Sequence, residues 1–360
     1  MSLTSYVTLG RSGLRVSPFT LGTMTFGEDL GWGASPEESE KILSAYLEWG
    51  GNSLDTANVY TNGHAEVIVG DYLAGRPGLR DQIVLGTKFF WNLRLGDPNG
   101  GGPGRKSVIQ QLENSLRRLR TDYVDIYWLH NFDPVTPVEE TLRALDDLVT
   151  AGKVRYVGFS DVPAWATAEA ATIARFRGWA PVIALQLEYS LLERTSEGEL
   201  IPMAQAMGMG VMPWGPLKSG FLSGKYSSAA AGPVDTTRAA LVGVPRPADY
   251  PVIDLVNEIA AETGASPAAV ALAWVRAQPG ITSTLIGARR MDQFEANLTA
   301  LDLTLDPAQQ ERLTSASAPH LNFPAENNAT LARIARNGGT TVDGVPTPAP
   351  PRLVQGAHVY

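Results

Sequence analysis

Eight short β-rich runs, separated by amphipathic helical stretches, constrain this chain more than any other feature. They lie at 20–24, 52–56, 83–88, 124–130, 154–160, 183–188, 210–214 and 282–287. Strands alternating with helical segments read as βαβ units, because two parallel neighbours need a crossover long enough to return the chain to the same end of the sheet. Eight such units in 360 residues predict an α/β fold, a (β/α)8 TIM barrel. The segments 36–49, 105–119, 138–151 and 195–207 carry apolar residues at three- and four-residue spacing, as helices with one buried face do. Ser35, with Glu38 three residues on, predicts a capping box at the first of them. The segments 6–9 and 14–16 read as an N-terminal β-hairpin suited to plugging one end of the barrel. Residues 1–318 are expected to form the barrel, and 319–360 a C-terminal tail packing near the substrate face. Extra segments at 96–104 (GDPNGGGPG) and 226–247 follow the third and seventh strands, which places both on the catalytic face, where barrels of this kind gather their active-site loops.

Composition excludes several partners. A net charge of -8 argues against a nucleic-acid partner, since phosphate backbones are bound by clustered positive charge. No apolar run reaches the roughly 18 to 20 residues of a membrane span. There is no cysteine, and His64, His130, His320 and His358 lack metal-ligand spacing, so no metal is expected. The N-terminus has neither the basic start nor the apolar core of a secretory signal, and a cytoplasmic location is expected. No motif specifies an oligomeric state.

The chemistry gathers at strand ends. The second strand leads into Asp55 and Tyr60, the third ends in Lys88 and the fourth in His130. Reducing a carbonyl requires hydride delivery to carbon and protonation of the developing alkoxide, and a free tyrosine is a sluggish acid at neutral pH. A nearby lysine cation corrects this. In that scheme Tyr60 gives the proton, Lys88 lowers its pKa, Asp55 holds Lys88, and His130 orients the substrate oxygen. The substrate wall is expected from Met24, Phe26, Phe89, Trp91 and Phe132, which suits an aromatic or otherwise apolar carbonyl compound, while the polar contacts of Asn92, Asn131 and Asp133 leave a keto-sugar or a keto group on a larger metabolite open.

Three longer segments carry a resemblance. LDTANVYTNGHAEVIVGDYL (54–73), TDYVDIYWLHNFDP (121–134) and GKVRYVGFSDVPAW (152–165) resemble the signatures of the aldo-keto reductase family. The last of these, with LQLEYSLLERTSEGELIP (185–202), is most similar to its aryl-alcohol-dehydrogenase-like branch. The resemblance implies a barrel that binds NADP(H) extended across the strand ends without a GxGxxG fingerprint, and this chain has no such fingerprint. It further implies that Ser160, Asp161 and Gln186 hold the nicotinamide carboxamide and that Trp214 stacks on the ring. The family more often has asparagine where Asp161 stands and tyrosine where Trp214 stands. Gly215, Leu217, Lys218 and Gly220 in GPLKSG look like the loop over the pyrophosphate, with Lys225 as a further cation. In LIGARR, Gly287 leaves room for close backbone approach and Arg289 is suited to a 2′-phosphate, with Gln293 and Asn297 facing the adenosine from one helix face.

Other readings stay open on residues alone. Asp161 is equally suited to capping the helix after Pro163. Asp55 and Glu188 at strand ends fit a glycoside hydrolase on the same barrel, and a non-catalytic cofactor-binding subunit is compatible with all four catalytic candidates. Residues 101–107, GGPGRKS, faintly resemble a phosphate-binding loop, but an arginine separates glycine from lysine and no strand leads in.

Overall fold

The computed structural model describes residues 1–229 and 243–350. Most of the insertion at 226–247 and the last ten residues of the tail lie outside the described residues. The hairpin strands β1 (Val7–Thr8) and β2 (Arg15–Val16) pair antiparallel. Eight parallel strands follow: β3 (Phe19–Gly22), β4 (Ser53–Asp55), β5 (Val84–Phe89), β6 (Val124–Leu129), β7 (Val154–Ser160), β8 (Val182–Glu188), β9 (Gly210–Trp214) and β10 (Thr284–Ile286). Their spatial order runs from β3 to β9 with β10 beside β3. A parallel bridge between Val211 and Ile281 links β9 to the approach of β10, which closes the barrel. Helices α1 (Pro36–Glu48), α2 (His64–Ala74), α3 (Arg105–Leu119), α4 (Val138–Thr150), α5 (Ala164–Arg177) and α6 (Leu200–Met207) cover the first six crossovers; Tyr250–Thr263, Pro267–Ala277 and Met291–Leu298 complete the ring.

Strand alternation divides the apolar residues into two cores. Leu85, Tyr127, Phe159, Leu185, Val211 and Ile286 point outward into the layer between strands and helices. Their neighbours Val84, Ile126, Trp128, Ala184, Met212 and Leu285 point inward and fill the barrel. Leu9 and Val16 of the hairpin join this inner core, so the hairpin plugs the barrel floor. Its turn comes so close that a Cβ on Gly10, at φ +59°, would lie 2.2 Å from the Ile183 carbonyl oxygen. Trp128 fits inside for a similar reason. It is paired with Gly158 on β7, where a Cβ would stand 2.3 Å from the indole ring.

Two local expectations need correction. The segment 195–207 is a 3-10 turn, Thr195–Glu197, followed by a separate helix α6. Pro202 has no N–H to donate and is tolerated only in a first turn, so the helix cannot begin much before Leu200. At α1, Ser35 accepts from the Glu38 amide, but the reciprocal arm of the box is missing. The Glu38 carboxylate instead accepts from Lys41 and, at 2.9 Å, from the Met291 amide at the start of another helix. That contact spans 253 residues and fastens the helix after the last barrel strand to the first crossover helix.

In the tail, residues 325–337 form a short helical stretch, and Thr341–Val342 pairs with Val345–Pro346. A Cβ on Gly198, in the loop after β8, would meet the side chains of Ala325 and Leu321 at 3.3 and 3.4 Å, which fixes where the tail touches the barrel. No helix among the described residues is long and apolar enough to cross a membrane.

Candidate active site

The inward-facing positions of the strands end in the polar residues of the site. The parity that turns Val84 inward also turns Lys88 inward. By the same rule Asp55, His130, Ser160, Gln186, Trp214 and Gly287 stand at or just beyond the last inward positions of their strands. Tyr60 arrives differently, from the turn Tyr60–Gly63 after β4. Thr61 and Asn62 in this turn have left-handed φ angles of 45° and 56°, a costly conformation for a β-branched threonine. The Thr61 hydroxyl holds it there by donating to the Phe26 carbonyl at 2.9 Å and accepting from the Ala65 amide.

Lys88 organises the centre. Its ammonium has no solvent exposure and donates to the Asp55 carboxylate, to the Thr56 carbonyl at 2.9 Å and to the Tyr60 hydroxyl oxygen at 2.9 Å. An ammonium has three protons, so all are used. Because Lys88 has no acceptor, Tyr60 can only receive in this pair, and its own proton is directed away from Lys88. Asp55 is held from its other oxygen by the Gln186 amide at 2.8 Å. Burial opposes the charge on Lys88, but Asp55 and Tyr60 outweigh it and raise the lysine above its ordinary value. Burial likewise raises the Tyr60 hydroxyl; Lys88 acts in the expected downward direction without cancelling that rise. Tyr60 is therefore protonated throughout the neutral range.

His130 follows β6, with its backbone amide on the Phe89 carbonyl at 3.0 Å and its ring edge-on to Tyr60 at 6.0 Å. Burial, and then the Lys88 charge, push its pKa down to about 2. The imidazole is neutral, and its buried Nδ1 has no protein partner among the described residues.

The expected carboxamide cradle is internally bonded. Asp161 does not cap α5; Pro163 occupies the capping position without a side-chain bond, and Asp161 accepts from the Trp214 indole N–H at 3.1 Å. Lys218, at φ +45°, is ion-paired with Glu188 at 2.6 Å and lies 3.7 Å from Glu193, which fastens the GPLKSG loop to the end of β8. Leu217 packs partly buried on the core, Gly215 and Gly220 take left-handed turns, and Lys225 is exposed beyond them. At β10, Gln293 accepts from the Arg289 amide at 3.1 Å and Asn297 donates to the Gly287 carbonyl at 3.2 Å, so both amides brace the loop they were expected to flank. Gly287 is exposed, and a Cβ there would meet nothing closer than 3.8 Å. Bare backbone thus faces open space, as close approach of a dinucleotide requires.

The substrate wall is only partly as expected. Met24 and Trp91 are about half exposed, and Phe132 stacks edge-on against Trp165 at 5.5 Å. Phe26 and Phe89 are a correction: both are fully buried in the outer core and offer no surface to a ligand. Phe89 follows the inward-facing Lys88 by one residue and so points to the helices, packed on Tyr127 at 4.5 Å. A cavity of 520 Å³ lies beside the site, lined by Trp91, Asn92, Asn99, Lys106, Asp133 and Thr136, with glycines of the 96–104 segment completing its wall. The phosphate-loop resemblance of 101–107 fails: the Arg105 amide at the start of α3 is already taken by the Glu140 carboxylate at 2.8 Å. Sequence reasoning missed Thr56, which acts through its backbone carbonyl, and Trp165, whose proximity to Phe132 depends on the barrel closing.

These elements define a barrel with a buried, lysine-centred polar cluster at its C-terminal mouth. The family model for the aldo/keto reductase family matches residues 18–318. The chain belongs to the aldo/keto reductase family. It is 36% identical over 310 residues to an uncharacterized oxidoreductase of Bacillus subtilis, covering 84% of this chain and 92% of that protein. It is 33% identical over 329 residues to an aryl-alcohol dehydrogenase [NADP(+)] of Phanerodontia chrysosporium, covering 87% and 85%. A probable voltage-gated potassium channel subunit beta of Oryza sativa subsp. japonica is 38% identical over 307 residues, covering 83% and 91%.

The depressed histidine gives a direct test. In NMR titration the His130 ring should keep neutral-form shifts from about pH 7.5 down to about pH 4.5, whereas an ordinary imidazole titrates near 6.5. Protonation of His130 near 6.5 would contradict the burial argument.

Proposed function

We propose that this chain is a cytoplasmic, NADP(H)-dependent oxidoreductase that reduces an aldehyde or ketone to an alcohol, with Tyr60 as general acid. The observation that carries this reading is the Lys88 ammonium, hydrogen-bonded at once to Asp55, the Thr56 carbonyl and the Tyr60 oxygen. When bound, the reduced nicotinamide supplies the hydride. Tyr60 gives its proton to the developing alkoxide, and Lys88 stabilises the phenolate left behind. Asp55, held by Gln186, keeps Lys88 in place. His130, neutral, hydrogen-bonds the substrate oxygen.

Ser160, Asp161 and Gln186 hold the carboxamide; Gln186 gives its N–H to Asp55, leaving its carbonyl oxygen for this role. Trp214 stacks on the nicotinamide, with Gly215, Leu217, Lys218, Gly220 and Lys225 along the pyrophosphate. Gly287, Arg289, Gln293 and Asn297 take the adenosine end, Arg289 on the 2′-phosphate. The NADP(+) relative supports this choice of cofactor. Met24, Trp91 and Phe132, joined by Trp165, suit an aromatic or apolar carbonyl compound, and the tail beyond residue 318 borders that face. Asp55 and Glu188 are each ion-paired with a lysine, Lys88 and Lys218, which disfavours a carboxylate-pair hydrolase.

Tyr60→Phe should keep cofactor affinity and lose about 10²-fold or more in turnover with NADPH and an aldehyde panel. Wild-type rates in that variant would remove Tyr60 from the acid role. Arg289→Ala should weaken NADPH by about tenfold and NADH by much less in calorimetry, since a charge-assisted phosphate contact is lost. Equal losses for both cofactors would refute the 2′-phosphate assignment.

A further inference from the structure

Asp161 directly follows β7 and Trp214 ends β9, with β8 between them. The Asp161 amide donates to the Gln186 carbonyl of β8 at 3.2 Å, and its carboxylate receives the Trp214 indole proton at 3.1 Å. Indole nitrogen only donates, so the carboxylate is the acceptor, and it restrains the ring across the barrel mouth. The Ser160 hydroxyl, at 3.5 Å, is a weak second donor. Asp161 holds a left-handed φ of 54°, solvent reaches it, and it makes no salt bridge among the described residues. Asp55 and Glu188, which also stand at strand ends, each have a lysine of their own.

We propose that Asp161 both positions Trp214 and supplies a negative charge, neutralised by no salt bridge among the described residues, that makes the site favour the oxidised, positively charged nicotinamide over the reduced, neutral one. This rests on the reading that Trp214 stacks on that ring. The two cofactor forms share every phosphate and the adenosine, so a charge beside the ring separates them while leaving the other contacts equal. A unit charge pair a few ångströms apart at a protein surface changes an equilibrium by about tenfold or more. Tighter holding of the oxidised form draws hydride transfer on the enzyme toward alcohol and slows release of the spent cofactor.

The groups facing Asp161 also give this preference a pH dependence. Burial pushes Asp161 up to about 6; the Trp214 bond opposes this, Glu188 reinforces it, and Ser160 and Lys88 oppose it. The carboxylate is charged above that value, so the preference is present at alkaline pH and fades as pH falls through it.

The test is calorimetric binding of NADP+ and NADPH to the full chain, wild type and Asp161→Asn, at about pH 8 and about pH 5.5. Asparagine tolerates the left-handed backbone, so the variant should fold. At the higher pH the wild type should favour the oxidised form by about tenfold more than Asp161→Asn does, and the gap should shrink at the lower pH. At the higher pH Trp214→Phe should weaken both forms and keep the preference for the oxidised one, because the Asp161 carboxylate is still present; loss of that preference there would overturn the charge assignment. An unchanged ratio in Asp161→Asn overturns the inference while sparing the proposed function; failure of the wild type to bind either form overturns both.

Discussion

The ammonium of Lys88 is the interaction on which the rest of the site depends. A buried cation is costly unless paired and fully hydrogen-bonded, and removing one partner of a buried pair typically costs about 3–5 kcal/mol. Lys88 meets this requirement with three acceptors from one short stretch of chain, Asp55, Thr56 and Tyr60. Two of those acceptors tie β5 to β4 and its following residue, and the third fixes a hydroxyl. The same bond that satisfies the lysine makes Tyr60 an acceptor toward it, which frees the phenolic proton for use elsewhere. Charge burial and the acid role proposed for Tyr60 thus rest on one arrangement.

That arrangement is possible because strand alternation sorts side chains along the barrel, with one irregularity in the β7–β8 register, where Ile183 and Ala184 both join the inner core. Val84 and Lys88, Ala184 and Gln186, Met212 and Trp214, Leu285 and Gly287 share faces. Inner positions near the floor are mostly apolar and sealed by Leu9 and Val16, with the buried hydroxyls of Thr20, Ser53 and Ser283 bonded to one another, and those at the mouth are polar. The helices contribute support from outside. Glu66 on α2 is fully buried and accepts from Thr87 at 2.5 Å and from Arg118 at 2.6 Å, holding the residue before Lys88 against α2 and α3.

Much of this was legible in the sequence. The hairpin, the eight strands and the four catalytic candidates follow from apolar runs, turn residues and ionisable groups at successive strand ends, and the structure brings Asp55, Tyr60, Lys88 and His130 together. Phe89 was misread although the signal existed, since a residue next to an inward-facing lysine must face outward. Pro202 equally marked where α6 could begin. Other features had no local signature. The capping of Met291 by Glu38, the use of the Thr56 carbonyl and the bond between Asp161 and Trp214 join positions whose proximity exists only once the barrel closes.

The pKa directions agree with a site that keeps its protonation state fixed. Tyr60 and Lys88 are raised and His130 is lowered, so none of the three changes charge near neutrality. The central claim, that Lys88 arms Tyr60 as the acid, is tested most directly by single-turnover hydride transfer in Lys88→Met at saturating NADPH. Cofactor affinity should stay within about twofold of wild type and the transfer rate should fall by about 10²-fold or more. A wild-type transfer rate in that variant would contradict the claim.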